Sequence, residues 1–530
     1  MYDVIIKNGM VIDGSGGPMQ RADVAIQEEE VVSVGNLSHE NAHKVIDAAG
    51  KMVCPGFVDV NNHSDTYWRL FAGPGLESLL TQGITTIVGG NCGSSLAPLL
   101  SRDGIKAIQK WADISKVSVD WLGMGEFLEK VENLSPALNF ASLVGHSTLR
   151  RSFVGDEVRD ISPQEMAAMK KLLVRSLKDG AIGLSTGLVY AHARLASSRE
   201  IVELAEMVRK YDGVYTTHIR GEGRELIRAV EEAIRIAQLS GARLHISHLK
   251  AMWEENWPLM EEALNLVETA RTSGVDVTFD VYPYTATGSV LYILLPEWVT
   301  EGGRTMMLSR LKDKDIRARV IKEMRESERA YDKISVSISS LNKSLNRTRI
   351  TDIAKAKGVS VEDAVIDVLI AGEGRVITTM EVLSERNVDK AVINPFSLIA
   401  TNGAGYPVEH KKTGEVVHPR SFGSFPRVLA EYVRARQVVS WEEAVHKMSG
   451  APAERMGLKK RGLLAKGYAA DVTIFDPEKV RDLATMDNPY QYAQGIEWVL
   501  VNGVVALAEG KITAERAGQV IRRSRKIFEL

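Results

Sequence analysis

A (β/α)8 barrel of the TIM type, carrying a small β-sandwich domain built from both ends of the chain, is the α/β fold this sequence predicts. Short apolar runs recur eight times between residues 57 and 401, and amphipathic helical stretches lie between them. The two ends read differently, with closely spaced strand and turn signals in 1–56 and again in 460–530.

At the start, Val4-Ile5-Ile6, Val11-Ile12 and Val24-Ala25-Ile26 alternate with Gly, Asn and Asp turns, the pattern of small antiparallel strands. From about Val53 the rhythm changes. The expected barrel strands are Phe57 to Val60, Ile84 to Val88, Phe140 to Val144, Ile182 to Leu184, Val214 to Thr217, Leu244 to Ser247, Val277 to Val281 and Leu398 to Thr401. The helices between them carry their own signals: Ser162-Pro163-Gln164-Glu165 opens Met166 to Leu177 with N-cap chemistry, and Glu225 to Leu239 keeps apolar residues at helical spacing. From about Tyr292 to Asn342 no single barrel helix fits. A charged helical run near Asp313 to Glu328 precedes a strand-like Lys333 to Ser339, so an insertion is expected at about 290–345. Ala469 to Pro477 and Val499 to Val505 return to the short β pattern. The expected domains are therefore 1–56 with 460–530 as a composite β unit, and 57–459 as the barrel.

Composition narrows the function. The 530 residues are 45% hydrophobic, enough for a large core, and the net charge of −2 argues against a nucleic-acid groove or a basic membrane face. The richest apolar run, Leu291 to Val299, is short and interrupted by Pro296 and Glu297, well under the roughly 18 unbroken residues of a membrane helix. The first residues read as strand and turn rather than as an export signal. Two cysteines, Cys54 and Cys92, exclude a disulfide framework and fit a reducing compartment. The expectation is a cytoplasmic protein working on a small molecule, without nucleic-acid or membrane partners.

In such a barrel the side chains at the C-terminal ends of the strands converge on one face. Strand one ends Asp59-Val60-Asn61-Asn62-His63-Ser64-Asp65, strand two Gly89-Gly90-Asn91-Cys92-Gly93, strand five Thr217-His218-Ile219-Arg220, strand six Ile246-Ser247-His248-Leu249-Lys250 and strand eight Thr401-Asn402-Gly403. A catalytic zinc takes three protein ligands from thiolate and imidazole and leaves one position open, and Cys92, His218 and His248 supply such a set. Each alone also suits an ordinary core position; their joint placement at strand ends points to metal binding.

Several segments resemble the N-acyl-D-amino-acid deacylases of the amidohydrolase superfamily over nearly the whole chain. Pro55-Gly56-Phe57-Val58-Asp59 leads into that family's first metal motif, Gly90-Asn91-Cys92-Gly93 is similar to its cysteine loop, and Gly145 to Arg150 to its third-strand signature. Gly183 to Tyr190, His218 to Gly223, Tyr282-Pro283-Tyr284, His418-Pro419-Arg420 and Phe425-Pro426-Arg427 resemble further blocks. The resemblance implies hydrolysis of an N-acyl-D-amino acid to a carboxylate and a free amine. It assigns one tight zinc ion to Cys92, His218 and His248, and the grip on a substrate carboxylate to Lys250, Tyr282 and Arg420, with Tyr190 and Ser289 as further substrate-binding candidates. Fixed cations suit a carboxylate, the arginine bidentately. His146 and Arg150 are expected to brace the barrel.

Two positions depart from the family. Its first strand carries His-x-His, whereas this chain has Asn61-Asn62-His63, which puts a second metal ion in doubt and leaves His63 as a lesser ligand candidate. Asn402 stands where the family has an aspartate that shuttles protons, and an amide can do neither half of that task. Natural divergence, an engineered change, or a binding protein that has lost turnover would each account for it; the altered Gly403-Ala404-Gly405-Tyr406 and Asn61 favour divergence. Asp65 and Glu222 are the nearby carboxylates that could substitute, although a loop cap or ion pair suits both. The rival enzyme is a cyclic amide hydrolase or deaminase of the same superfamily. The cyclic amide hydrolases use an intact His-x-His and a modified lysine on strand four, where this chain has Ser185-Thr186-Gly187.

Overall fold

The computed structural model describes residues 1–101, 104–105, 118–327, 329–339 and 341–523. Eight parallel strands form its centre: Phe57–Asp59, Ile84–Gly89, Asn139–Ser142 continued by Val144–Gly145, Gly183–Gly187, Val214–His218, Arg243–Ile246, Val277–Val281 and Ser397–Ile399. Parallel pairing runs from the first strand to the third and from the third to the eighth. A parallel bridge between Asn62 and Gly403 closes the ring. All eight strands fall where the apolar runs place them. The third is split after Ser142, beside the tight approach of Gly90, where a Cβ would stand 2.2 Å from the Leu143 carbonyl oxygen.

The seam between strands one and eight is polar. Asp59 accepts from the Thr401 amide at 2.9 Å, the Thr401 hydroxyl at 2.5 Å and the Asn62 side chain at 2.8 Å. Burial pushes its carboxyl up to about 6 against these bonds. Around the ring, helices pack the faces their spacing predicts. In Pro163–Asp179, Ser162 accepts from the Glu165 amide in a capping box, and Met169, Leu173 and Leu177 are buried.

The β unit is one continuous nine-stranded sheet drawn from Tyr2–Val11 through Met52–Pro55 and from Val472–Phe475 through Lys511–Ile512. It curls around its own core, so that Val24 and Ile26 share a cluster with Val472 and Leu500; the sandwich is a single sheet rather than two. Its joint to the barrel is a buried knot. Asp471 accepts from Asn139 at 3.1 Å and from the Asn502 amide at 2.9 Å and pairs with Arg461.

Between barrel strands seven and eight sits an inserted unit with a three-stranded antiparallel sheet, Thr287–Val290, Val376–Met380 and Ile334–Ser339. Helices Gly303–Lys312, Lys314–Arg325, Ile350–Lys357 and Val361–Ala371 cover it around a separate core that includes Leu291, Leu311, Val336 and Val365. Its sheet spans Thr287 to Met380, further than the expected 290–345. The helices of 350–371 carry the same amphipathic rhythm as barrel helices, so periodicity does not mark them off. The expected charged run is realised as Lys314–Arg325, with Glu328 outside the described residues. Among the described residues no helix is long and apolar enough to cross a membrane.

Candidate metal centre and active site

The Gly90-Asn91-Cys92-Gly93 loop follows strand two and is clamped from three sides. Asn91 donates to the Val88 carbonyl at 2.8 Å and the Val60 carbonyl at 3.2 Å. Ser185 on strand four accepts from the Gly93 amide at 3.0 Å and donates to the Gly90 carbonyl. At Gly93 a Cβ would lie 2.6 Å from the Gly187 nitrogen, so only glycine admits this approach. Ser185 of strand four thus fixes the cysteine loop.

Cys92, His248 and Asn402 all turn off their strands with left-handed backbone, φ 50°, 38° and 45°. Such a conformation costs a non-glycine residue on the order of 1–3 kcal/mol and persists where the surroundings impose it. It brings the Cys92 thiol and the two histidines together. One donor atom each from Cys92, His218 and His248 lies within 4.8 Å of the others, all three residues are buried, and Cys92 Sγ is 3.4 Å from His248 Nε2. Both His218 nitrogens are buried without a hydrogen-bond partner. A soft thiolate and two imidazoles in one buried cluster, one ring left unsatisfied, fit a zinc ion. Burial, with Lys250 and His218 alongside, pushes His248 down to about 3, so its ring is neutral and free to ligate.

Behind this cluster stands Glu222. Its carboxylate is 3.1 Å from His248 Nδ1 and 3.4 Å from His218 Nε2, and it pairs with the Lys250 ammonium. Burial alone would raise its pKa; the adjacent His218 and Lys250, with His248 alongside, outweigh that and hold it well below the usual carboxylate range. A carboxylate on the outer nitrogen of a ligating histidine sets its tautomer and orientation. Lys250 also reaches the His248 carbonyl at 3.1 Å and His248 Nδ1 at 2.9 Å.

The opposite side of the pocket is occupied differently. His63 Nε2 lies 2.8 Å from Asn402 Oδ1, so the ring donates to the amide, and burial holds its pKa at about 4. His63 stands outside the three-donor cluster. Asn61 donates to Asp280 at 3.2 Å, and Asp280 also receives His245 Nε2 at 3.0 Å, so Asn61 is tied beneath the pocket.

Arg420 enters the pocket from the start of helix Arg420–Arg427, with its guanidinium 4.8 Å from the centre of the Tyr282 ring. Its Nε and Nη1 are buried without partners. Tyr282 lies against the Arg420 guanidinium, and its hydroxyl donates at 3.0 Å to Thr287, a residue of the pocket wall. Ser289, on the inserted strand Thr287–Val290, and Tyr190, edge-on to His218 at 5.2 Å, both line the pocket.

Asp65 requires a correction. It is fully buried, accepts from the Gly90 amide at 2.7 Å and the Thr66 amide at 2.7 Å, and is not on the pocket wall; it shapes the cysteine loop and cannot reach a substrate. His146 and Arg150 also lie off the pocket, at 2.7 and 3.2 Å from the buried Glu200. Tyr67, Val189, Met252 and Ile293, which no polar motif signals, complete the wall.

Comparison with known proteins agrees with this geometry. The profile of the amidohydrolase family matches residues 44–507. A D-aminoacylase and an N-acyl-D-glutamate deacylase of Alcaligenes xylosoxydans xylosoxydans are each 33% identical to this chain over 99% of its length, covering 98% and 97% of the relatives. The structure of an N-acyl-D-glutamate deacylase from Bordetella bronchiseptica, complexed with zinc and a phosphonate inhibitor that mimics the tetrahedral intermediate, superposes with a TM-score of 0.83 at 30% identity, over 98% of this chain and 100% of that one. Likeness of this extent, in sequence and in fold, makes the chain a member of the amidohydrolase family, in the group of the N-acyl-D-amino-acid deacylases.

Proposed function

We propose that this protein hydrolyses the exocyclic amide of N-acyl-D-amino acids, giving a carboxylate and a free amine, with one zinc ion held by Cys92, His218 and His248. The observation that carries the reading is the convergence of those three donors in one pocket with an arginine that makes no ion pair among the described residues and has two buried nitrogens without acceptors. Zinc, when bound, polarises an amide carbonyl and brings the pKa of water toward about 7. The rest is the work of the chain. Arg420 binds the substrate's α-carboxylate and so fixes where the amide lies, Tyr282 holds the guanidinium in place, and Glu222 keeps both histidines aimed. The D configuration is supported by the named relatives. Two buried cysteines without a disulfide fit a cytoplasmic setting.

Asn402 holds His63 by its ring proton and cannot itself exchange one with the departing amine. That contact favours a second reading, a zinc protein that binds N-acyl amino acids with little turnover. The cyclic amide alternative loses support from Ser185, whose hydroxyl is engaged by the cysteine loop where those enzymes carry a lysine. The test is zinc content together with amine release from N-acetyl-D- and N-acetyl-L-amino acids, and ring opening of hydantoins and dihydropyrimidines. The expected result is about one zinc per chain and turnover of the D-acyl compounds. Ring opening alone, or a protein that holds no zinc, overturns the proposal.

A further inference from the structure

The balance of charge in the pocket says which substrate side chains it can take. The lysine and arginine on its wall are Lys250 and Arg420. Lys250 is paired with the ionised Glu222, both side chains being less than a tenth exposed, so its charge is compensated within the protein. Arg420 forms no ion pair among the described residues, and two of its nitrogens are buried without acceptors. One buried cation therefore awaits one anion. Arg194, beyond Val189, has its charge compensated: it pairs with Glu297 at 3.5 Å and donates to the Val189 carbonyl at 2.7 Å, its Nε being buried without an acceptor. Apart from the metal-site residues and Glu222, the remaining wall carries no further charge: Tyr67, Val189, Met252 and Ile293 are aromatic or apolar, and Thr287, Ser289 and Asn402 are neutral polar groups. Part of it is continuous with a cluster in which Val189 and Ile293 pack on Cys92, Tyr190 and Val290.

We infer that the pocket accepts N-acyl amino acids whose single charge is the α-carboxylate and whose side chain is uncharged and apolar, and that it rejects N-acyl-aspartate and N-acyl-glutamate. This rests on the amide-hydrolase reading above. The α-carboxylate takes Arg420. A second carboxylate then lies against uncharged side chains or beside Glu222, buried without a counter-ion, where truncated charge pairs show how heavily an unpaired buried charge is penalised. Overall identity cannot make this distinction, because a glutamate deacylase and a D-aminoacylase match this chain equally well.

The experiment is a kcat/KM panel on the zinc-loaded protein at neutral pH, with N-acetyl-D-leucine, -methionine and -phenylalanine against N-acetyl-D-glutamate and -aspartate. The best apolar compound should exceed both acidic ones by at least about tenfold. A smaller ratio, or preference for an acidic compound, overturns the inference while leaving the deacylase reading intact. If none of the compounds turns over, calorimetric dissociation constants for the same panel decide it. A tenfold or greater preference for an apolar compound in binding upholds the inference and sinks the hydrolytic reading alone; a smaller one overturns the inference as well.

Discussion

The two sides of the pocket are built on the same plan and finished with opposite chemistry. On the side of strands two, five and six, Cys92, His218 and His248 converge, and neither His218 nitrogen makes a hydrogen bond within the protein. On the side of strands one and eight, the side chains have found partners: His63 with Asn402, and Asn61 with Asp280 of strand seven. The backbone is equally strained at Cys92 and at Asn402. A preorganised barrel rim therefore does not by itself make a metal site. A cluster of thiol and imidazole donors does, and among the described residues it stands on one side. The difference agrees with the single-ion site proposed above.

The sharpest way to break this contrast is to remove a donor. Cys92→Ala should take zinc from about one ion per chain to a trace, measured by elemental analysis after dialysis; retention of the ion would place its ligands elsewhere. Converting the quiet side toward an active one comes next. Asn402→Asp should raise kcat by about a hundred- to ten-thousand-fold, the range that a general acid-base group commands, read from amine release on the best substrate. An unchanged kcat would mean that the proton travels by a route independent of this position. A smaller effect is expected behind the donors, where Glu222→Gln should weaken zinc about 10- to 100-fold in chelator competition, with Glu222→Asp recovering part of the loss. If zinc affinity is unmoved, the carboxylate serves only Lys250. Smallest is Tyr282→Phe: the ring under Arg420 stays, and the lost hydroxyl contact to Thr287 should cost only about 1 kcal/mol in thermal or chemical unfolding, with zinc content unchanged.

What the sequence discloses follows the same division. The barrel strands are legible because each is an apolar run buried on both faces, as Ile84–Gly89 and Val277–Val281 show. Cys92, His218 and His248 are legible because their chemistry is rare and each follows such a run. Asp65 illustrates the limit: a carboxylate next to a metal motif reads as a proton carrier, and only the fold shows its oxygens spent on the backbone of Gly90 and Thr66. Glu222 errs in the other direction. Its position four residues after His218 suggests an ordinary loop ion pair, while its reach to His248 depends on the packing of strand five beside strand six. Val189, Met252 and Ile293 carry no signal, since apolar residues at a pocket wall and in a core look alike in sequence.

The nine-stranded sheet has a bearing on how the molecule is made. Tyr2–Val11 pairs with Met52–Pro55, which in turn pairs with Val472–Phe475, so the sheet cannot be completed until the ribosome has delivered residues more than four hundred positions downstream. Through that interval Val4, Ile6, Val24 and Ile26 wait without the Val472, Ile474 and Leu500 that finally cover them. Nascent chains halted before residue 472 should therefore bind chaperones through their first strands and shed them once Leu500 has emerged.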